Sequence, residues 1–216
     1  YREMLSILRP DDASDTPRFN VHPTDVMPIV LAEDGAVREA NARWGLIPPW
    51  HQEDPKTFRG TTFNARIETA HEKPSFRPSW RTGRCLVPAT GWYEWSGAKG
   101  ARQPWFITLE RNASVFWFAG LHARRADGLR SYTILTRAAD PVIADLHPRM
   151  PVLLQDTELS DWLAAADAGP ASEALGTGFG ARLGFHKVAP VRGDDESLIE
   201  PFDENEAPVP QQGNLI

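Results

Sequence analysis

Pro104–Leu109 (PWFITL), Ser114–Ala123 (SVFWFAGLHA) and Ser131–Thr136 (SYTILT) are three runs of aromatic and β-branched residues, separated by the turn signals Arg111-Asn112 and Asp127-Gly128. Such runs suit a pleated, half-buried surface better than a helix, so the stretch predicts three consecutive strands in an antiparallel meander. Toward the N-terminus, Cys85–Pro88 and Gly91–Trp95 are two further short strands, and Val26–Ala32 and Ala36–Trp44 flank Asp34-Gly35, a strong hairpin signal. Toward the C-terminus, Met150–Leu154 and Phe185–Val191 extend the set. Helices are few and short. They are Arg2–Leu8, Thr69–Trp80 interrupted near Pro74, a segment capped by Asp140-Pro141 and ended at His147-Pro148, and Thr157–Ala166, whose Leu159, Trp162 and Leu163 share one face. Strands and helices do not alternate one for one. The prediction is therefore an α+β domain: a curled, barrel-like antiparallel β-sheet core flanked by short helices.

The loops between these elements are uneven. Gly45–Thr62 carries Gly45, Pro48, Pro49 and Pro55 and reads as a long irregular excursion, a kind of segment that tends to be functional. The length of 216 residues suits one domain, expected over 1–192, followed by an acidic, mobile tail over 193–216. Charge divides accordingly: residues 1–150 hold 20 Lys/Arg against 17 Asp/Glu, and residues 151–216 hold 3 against 12. No apolar stretch approaches the roughly 20 residues of a membrane span. A single cysteine, Cys85, excludes an intrachain disulfide, and no leader precedes Tyr1, so the expected compartment is the reducing cytoplasm. Eight tryptophans are present, seven of them between Trp44 and Trp117. Within Arg59–Arg84, six basic residues interleave with Phe63, Phe76 and Trp80, a composition that suits single-stranded nucleic acid or, more blandly, a charged face over a core strip.

Three short stretches place polar groups where strand or turn ends would put them at a cleft: Asn64-Ala65-Arg66, Trp92-Tyr93-Glu94-Trp95 and His147-Pro148-Arg149. On a strand, alternation sets Trp92, Glu94 and Ser96 on one face and Tyr93 and Trp95 on the other. A carboxylate among indoles is desolvated, which raises its pKa toward the range of a general acid; the competing reading is a structural ion pair with an arginine. His147, at a predicted helix C-terminus, suits a proton shuttle or a structural role. Arg66 and Arg149 offer bidentate forks for a phosphate or carboxylate. The six histidines (22, 51, 71, 122, 147, 186) and Cys85 show no metal-ligand spacing, and no glycine-rich phosphate loop is present, so neither metal nor cofactor is expected. Cys85 reads as a small strand hydrophobe, with nucleophile as the alternative.

In order and spacing the motifs resemble the SOS-response-associated peptidase (SRAP) family, whose members crosslink to abasic sites in single-stranded DNA. The residues that carry the resemblance are Arg18–Thr24 (RFNVHPT), Trp44–Trp50 (WGLIPPW), Asn64–Thr69 (NARIET), Lys73–Arg77 (KPSFR), Gly83–Trp95 (GRCLVPATGWYEW), Gln103-Pro104, Ala119–Leu121 (AGL), Thr133–Thr136 (TILT) and His147–Pro151 (HPRMP). The resemblance implies the curled α+β sheet predicted above. It also implies a nucleophilic cysteine exposed by autocatalytic loss of the initiator Met, whose amine and thiol together close a thiazolidine on the sugar aldehyde. That cysteine is expected ahead of Tyr1-Arg2. By the same resemblance Asn64 holds the N-terminal group or the sugar, Glu94 is the acid/base and His147 assists proton transfer. Asn20, Pro23, Trp50, Arg66, Trp95 and Arg149 match positions lining the DNA cleft. The sequence departs from the family in His147-Pro148-Arg149, where His-Asp-Arg is commoner, and in His122 after Ala119–Leu121, where Trp is usual. The expected partner is single-stranded DNA containing abasic sites, bound by a monomer. A noncovalent DNA-binding module and a thiol hydrolase using Cys85 are the alternatives.

Overall fold

The computed structural model describes residues 17–98, 100–109, 115–164 and 175–202. The expected helix Arg2–Leu8, the turn Arg111-Asn112, the end of the Thr157–Ala166 helix and the tail from 203 onward lie outside them. The first hairpin forms as expected from β1 (Val26–Glu33) and β2 (Ala36–Trp44). Both turn residues, Asp34 (φ 54°) and Gly35 (φ 77°), take the left-handed conformation that a primed two-residue turn demands. Next come β3 (Asn64–Arg66), the short helices α1 (Ile67–Ala70) and α2 (Arg77–Thr82), β4 (Arg84–Ala89), β5 (Trp92–Ser96) and β6 (Gln103–Leu109). The remaining elements are β7 (Phe116–Arg124), β8 (Arg130–Ala138), β9 (Arg149–Pro151), β10 (Leu153–Leu154), α3 (Leu159–Ala164) and β11 (Leu183–Lys187).

In the larger sheet, β7 pairs with β4, β4 with β1, β1 with β2, β2 with β8, and β8 again with β7, which closes five strands into a barrel. Two of its contacts, β2–β8 and β3–β8, are parallel, so the expected antiparallel barrel carries a parallel seam along β8. β5, β6 and β11 form a separate antiparallel sheet with β6 in the middle. The expected meander is corrected here: β6 leaves β7 and β8 for this second sheet. Phe106 and Ile107 are both buried, one on each face of β6, so apolar alternation carried no sign of which neighbours it takes.

The interior collects Ile29, Leu31, Ala42, Cys85, Val87, Phe118, Tyr132 and Ile134 from all five barrel strands, with Trp92 and Ile107 of the small sheet packed onto the same cluster. The opposite face of the wall, with Val30, Leu86, Ala119 and Leu121, is covered by Trp80 of α2 and by Leu159 and Trp162 of α3. Gly120 is required at the β4–β7 contact, because a Cβ there would lie 2.9 Å from Cys85 Sγ and from Val87 Cγ2. The indole N–H of Trp162 donates to Cys85 O (3.0 Å), and the Arg84 guanidinium sits between the rings of Trp80 (5.0 Å) and Trp162 (4.4 Å). Phe76, Trp80 and Arg84 are thus core components, so of the two readings of Arg59–Arg84 these three follow the charged face over a core strip.

The predicted helix from Asp140 to His147 is instead a succession of turns. Its bonds are mostly three-residue closures, Ile143 N to Asp140 O and Leu146 N to Ile143 O, and six residues between two prolines leave room for little more. The segment then enters the barrel wall. Strands β7 and β8 pair directly up to Gly120 and Ile134 and then splay apart. Val152 fills the gap, its N–H donating to Leu135 O (2.9 Å) and its carbonyl accepting from Ala119 N (2.8 Å). That insertion brings His147 and Arg149 to the end of β8. Among the described residues no helix is long and apolar enough to cross a membrane.

Candidate active site at the end of β8

Strand β8 carries a different neighbour on each edge of its last turn. Thr136 is the register partner of Arg66 on β3 and of Pro151 on β9, so Asn64-Ala65-Arg66 and His147-Pro148-Arg149 flank the same point. Alternation buries Ala65 in the core and leaves Asn64 and Arg66 exposed. Arg149 ties the two motifs together. Its fork donates to both carboxylate oxygens of Glu68 on α1 (2.6 and 2.8 Å), and the same guanidinium donates to Thr136 O. The hydrogen bonds from Arg149 hold the Glu68 carboxyl below the usual range. Glu68 lies inside the NARIET motif, but its role as the partner of Arg149 had no sequence signal, since the two are 81 positions apart.

Glu94 comes from the second sheet. It stands opposite Trp105 on β6, on the face that also carries Trp92 and Ser96, as the alternation predicts. Trp92 packs edge-on against Phe116 and Phe118, and the Trp105 indole donates to Ser96 Oγ (2.8 Å). The Glu94 side chain is 18% exposed. Burial pushes its carboxyl up to about 7, a rise that nearby His147 opposes. His147 Nδ1 lies 3.7 Å from Glu94 Oε1, 2.8 Å from Arg149 O and 3.2 Å from Arg149 N. That nitrogen therefore has an acceptor when protonated and a donor when not, so neither state strands a polar group. The carboxyl and the imidazole thus stand side by side, one largely withdrawn from water and the other, with a side chain 46% exposed, open to solvent.

The other expected site residues are placed as follows. Trp95 is 44% exposed on the face of β5 opposite Glu94, beside Tyr93. Trp50 is 60% exposed on the Gly45–Thr62 loop. Pro23 is exposed in the turn before β1, next to Thr24, a β-branched residue at φ 86°. Asn20 is buried: its side chain donates to Gly193 O (2.8 Å), and its backbone N–H donates to Asp194 (2.8 Å). Asp194 also binds Arg18 and the Phe19 N–H, while Tyr93 donates to Phe19 O (2.8 Å). This clamp gave no signal in the sequence. Cys85 is wholly buried in the barrel and burial drives its thiol far up, so the thiol-hydrolase alternative is set aside. Among the described residues no three His, Cys, Asp or Glu side chains converge as metal ligands.

A five-strand barrel capped by a three-strand sheet, with a carboxyl–imidazole pair at their seam, is the frame on which the sequence comparisons fall. Residues 2–191 match the SOS response associated peptidase (SRAP) family, and the chain belongs to it. The abasic site processing protein YoqW of Bacillus subtilis is 34% identical over 159 residues, covering 71% of this chain and 70% of the relative. Abasic site processing protein YedK of Escherichia coli is 28% identical over 215 residues, covering 92% and 94%. Among solved structures, a phage-related protein of Bordetella bronchiseptica superposes with a TM-score of 0.68 at 30% identity, covering 87% of this chain and 89% of that one.

Proposed function

We propose that this protein processes abasic sites in single-stranded DNA by crosslinking to them covalently, through an N-terminal cysteine encoded ahead of Tyr1 and freed by autocatalytic removal of the initiator Met. It acts as a cytoplasmic monomer without a metal or cofactor. The observation that carries the reading is Glu94, a carboxyl held near neutrality beside His147 in a member of this family. In the reaction, the cysteine amine adds to the aldehyde carbon of the ring-opened sugar. Protonated Glu94 gives its proton to the departing hydroxyl, water leaves to give the iminium, and the Glu94 carboxylate takes the iminium N–H proton, leaving the imine and restoring the acid. The thiol then adds to the imine carbon and closes the thiazolidine, its proton passing to the ring nitrogen; one water is lost overall. His147 relays protons between Glu94 and solvent, Asn64 orients the amine or the sugar, and Arg66 holds a phosphate. Asn20, Pro23, Trp50, Trp95 and Arg149 shape the cleft, with the exposed rings stacking on bases.

The test is a denaturing gel of protein carrying the Met-Cys start, incubated with an oligonucleotide containing one abasic site. A covalent band is expected, and it should vanish when that cysteine is replaced by serine. A protein that retards the oligonucleotide on a native gel but leaves no denaturing-gel band would reduce the reading to the noncovalent module.

A further inference from the structure

The loop that carries Trp50 leaves β2 at Gly45 and returns at β3, and its tip is held by a residue from elsewhere in the chain. Arg125, at the turn between β7 and β8, has a side chain only 4% exposed. Its guanidinium donates to Glu53 O (2.8 Å) and Gln52 O (3.3 Å), and to both carboxylate oxygens of Asp127 (3.3 and 2.9 Å). Asp127 in turn accepts from Leu129 N (3.1 Å), and Gly128 (φ 88°) closes the turn. The Asp127-Gly128 pair is therefore more than a hairpin signal: it aims a buried cation at two loop carbonyls. Two residues before the first of those carbonyls stands Trp50, its ring edge-on to His51 (6.4 Å) and Phe58 (6.3 Å) and 60% exposed.

A large ring presented to solvent on a long loop loses affinity to ordering unless the loop is fixed beforehand. A guanidinium that binds two successive carbonyls and a carboxylate fixes it in a way a lysine's single ammonium does not. We infer that Arg125, oriented by Asp127, is a positioning residue for nucleic-acid binding, holding the Gly45–Thr62 loop so that Trp50 is set to stack on a base of single-stranded DNA. The inference rests on the function proposed above. It adds residues that touch no DNA themselves and act through Trp50.

A double-mutant cycle tests it on the full-length protein. Wild type, Trp50→Ala, Arg125→Gln and the double variant are titrated with a fluorescent single strand carrying a tetrahydrofuran abasic analogue, which has no aldehyde and reports binding alone. Stacking on one base predicts about a tenfold loss for Trp50→Ala. Arg125→Gln should lose about as much in the wild-type background and less than about twofold once Trp50 is gone, because neighbours that act through one contact are not additive. An equal loss in both backgrounds means a general structural effect and overturns the inference, as does no loss. Should Arg125→Gln fail to fold, Asp127→Asn is run through the same cycle. It lies at the surface and keeps an acceptor for Leu129, so it should show the coupling at about threefold; an additive result overturns the inference as well. If wild type crosslinks a natural abasic site while the cycle is additive, only this inference falls; if wild type does not bind the strand, both readings fall.

Discussion

Glu94 and Glu68 are the same side chain set beside partners only two positions apart in sequence, His147 and Arg149, and the protein tunes them in opposite directions. Glu94 is desolvated against the small sheet and meets its partner at 3.7 Å without a fork, and its carboxyl rises to about 7. Glu68, with a side chain 47% exposed, receives both arms of Arg149 at 2.6 and 2.8 Å, and its carboxyl falls. Burial without a matched donor makes a group that gives up a proton near neutrality; a matched donor without deep burial makes a fixed brace. The two carboxyls are far apart in the chain and adjacent in role: the brace holds the end of β8, from which His147 meets Glu94.

The sharpest way to break the comparison is kinetic. Glu94→Gln keeps the shape and removes the proton, and it should slow crosslinking by about 100-fold or more at pH 7 while leaving affinity for the tetrahydrofuran strand within about twofold. Its pH profile carries more information than its rate. Wild type should lose rate as pH rises through about 7, where Glu94 deprotonates, and that limb should be missing from the variant. An identical alkaline limb in both proteins would assign the proton to another group. On the proposed mechanism His147→Gln should cost less, roughly tenfold, because it removes the relay and not the donor. If it costs as much as Glu94→Gln, the imidazole is itself the acid.

Much of this was legible in the sequence. The Asp34-Gly35 hairpin, the strand expected over Gly91–Trp95 and found over Trp92–Ser96, and its face assignment came directly from turn chemistry and alternation, both local properties. Asn64-Ala65-Arg66 and His147-Pro148-Arg149, which the fold brings to the same end of β8, were also visible as motifs. What stayed hidden depends on distant partners. β6 joined a second sheet because its two apolar faces fit any neighbour, and Asp140–His147 did not become a helix because its bonds close at three residues between prolines. The fork from Arg149 to Glu68, the clamp of Asp194 on Asn20 and the reach of Arg125 to Gln52 and Glu53 each span between 72 and 174 positions. No pattern within a window of ordinary length reports them.

The comparison sharpens furthest when one substitution is made at both carboxyls and stability is followed against pH. Glu94 binds its proton more tightly folded than unfolded, so its contribution is complete below about 4.5 and is lost as pH rises through 7. Glu94→Gln should therefore stabilise the protein at pH 8, on the order of 2 kcal/mol, with the gain gone below about 4.5. Glu68 is held below 4.5, so its contribution is present above that value and lost as pH falls through the folded one. Glu68→Gln should accordingly destabilise at pH 8, and the deficit should close in acid. The effect is the smaller of the two: half of the Glu68 side chain is in water, solvent screens the pair, and about 1 kcal/mol or less is expected even for a good fork. Urea unfolding of both variants at pH 8 and pH 3 is the measurement. Opposite signs at pH 8 that fade together in acid fit one proton-active and one braced carboxyl, whereas a shift of the same sign at both positions would mean that the two environments do not differ in the way their geometry requires.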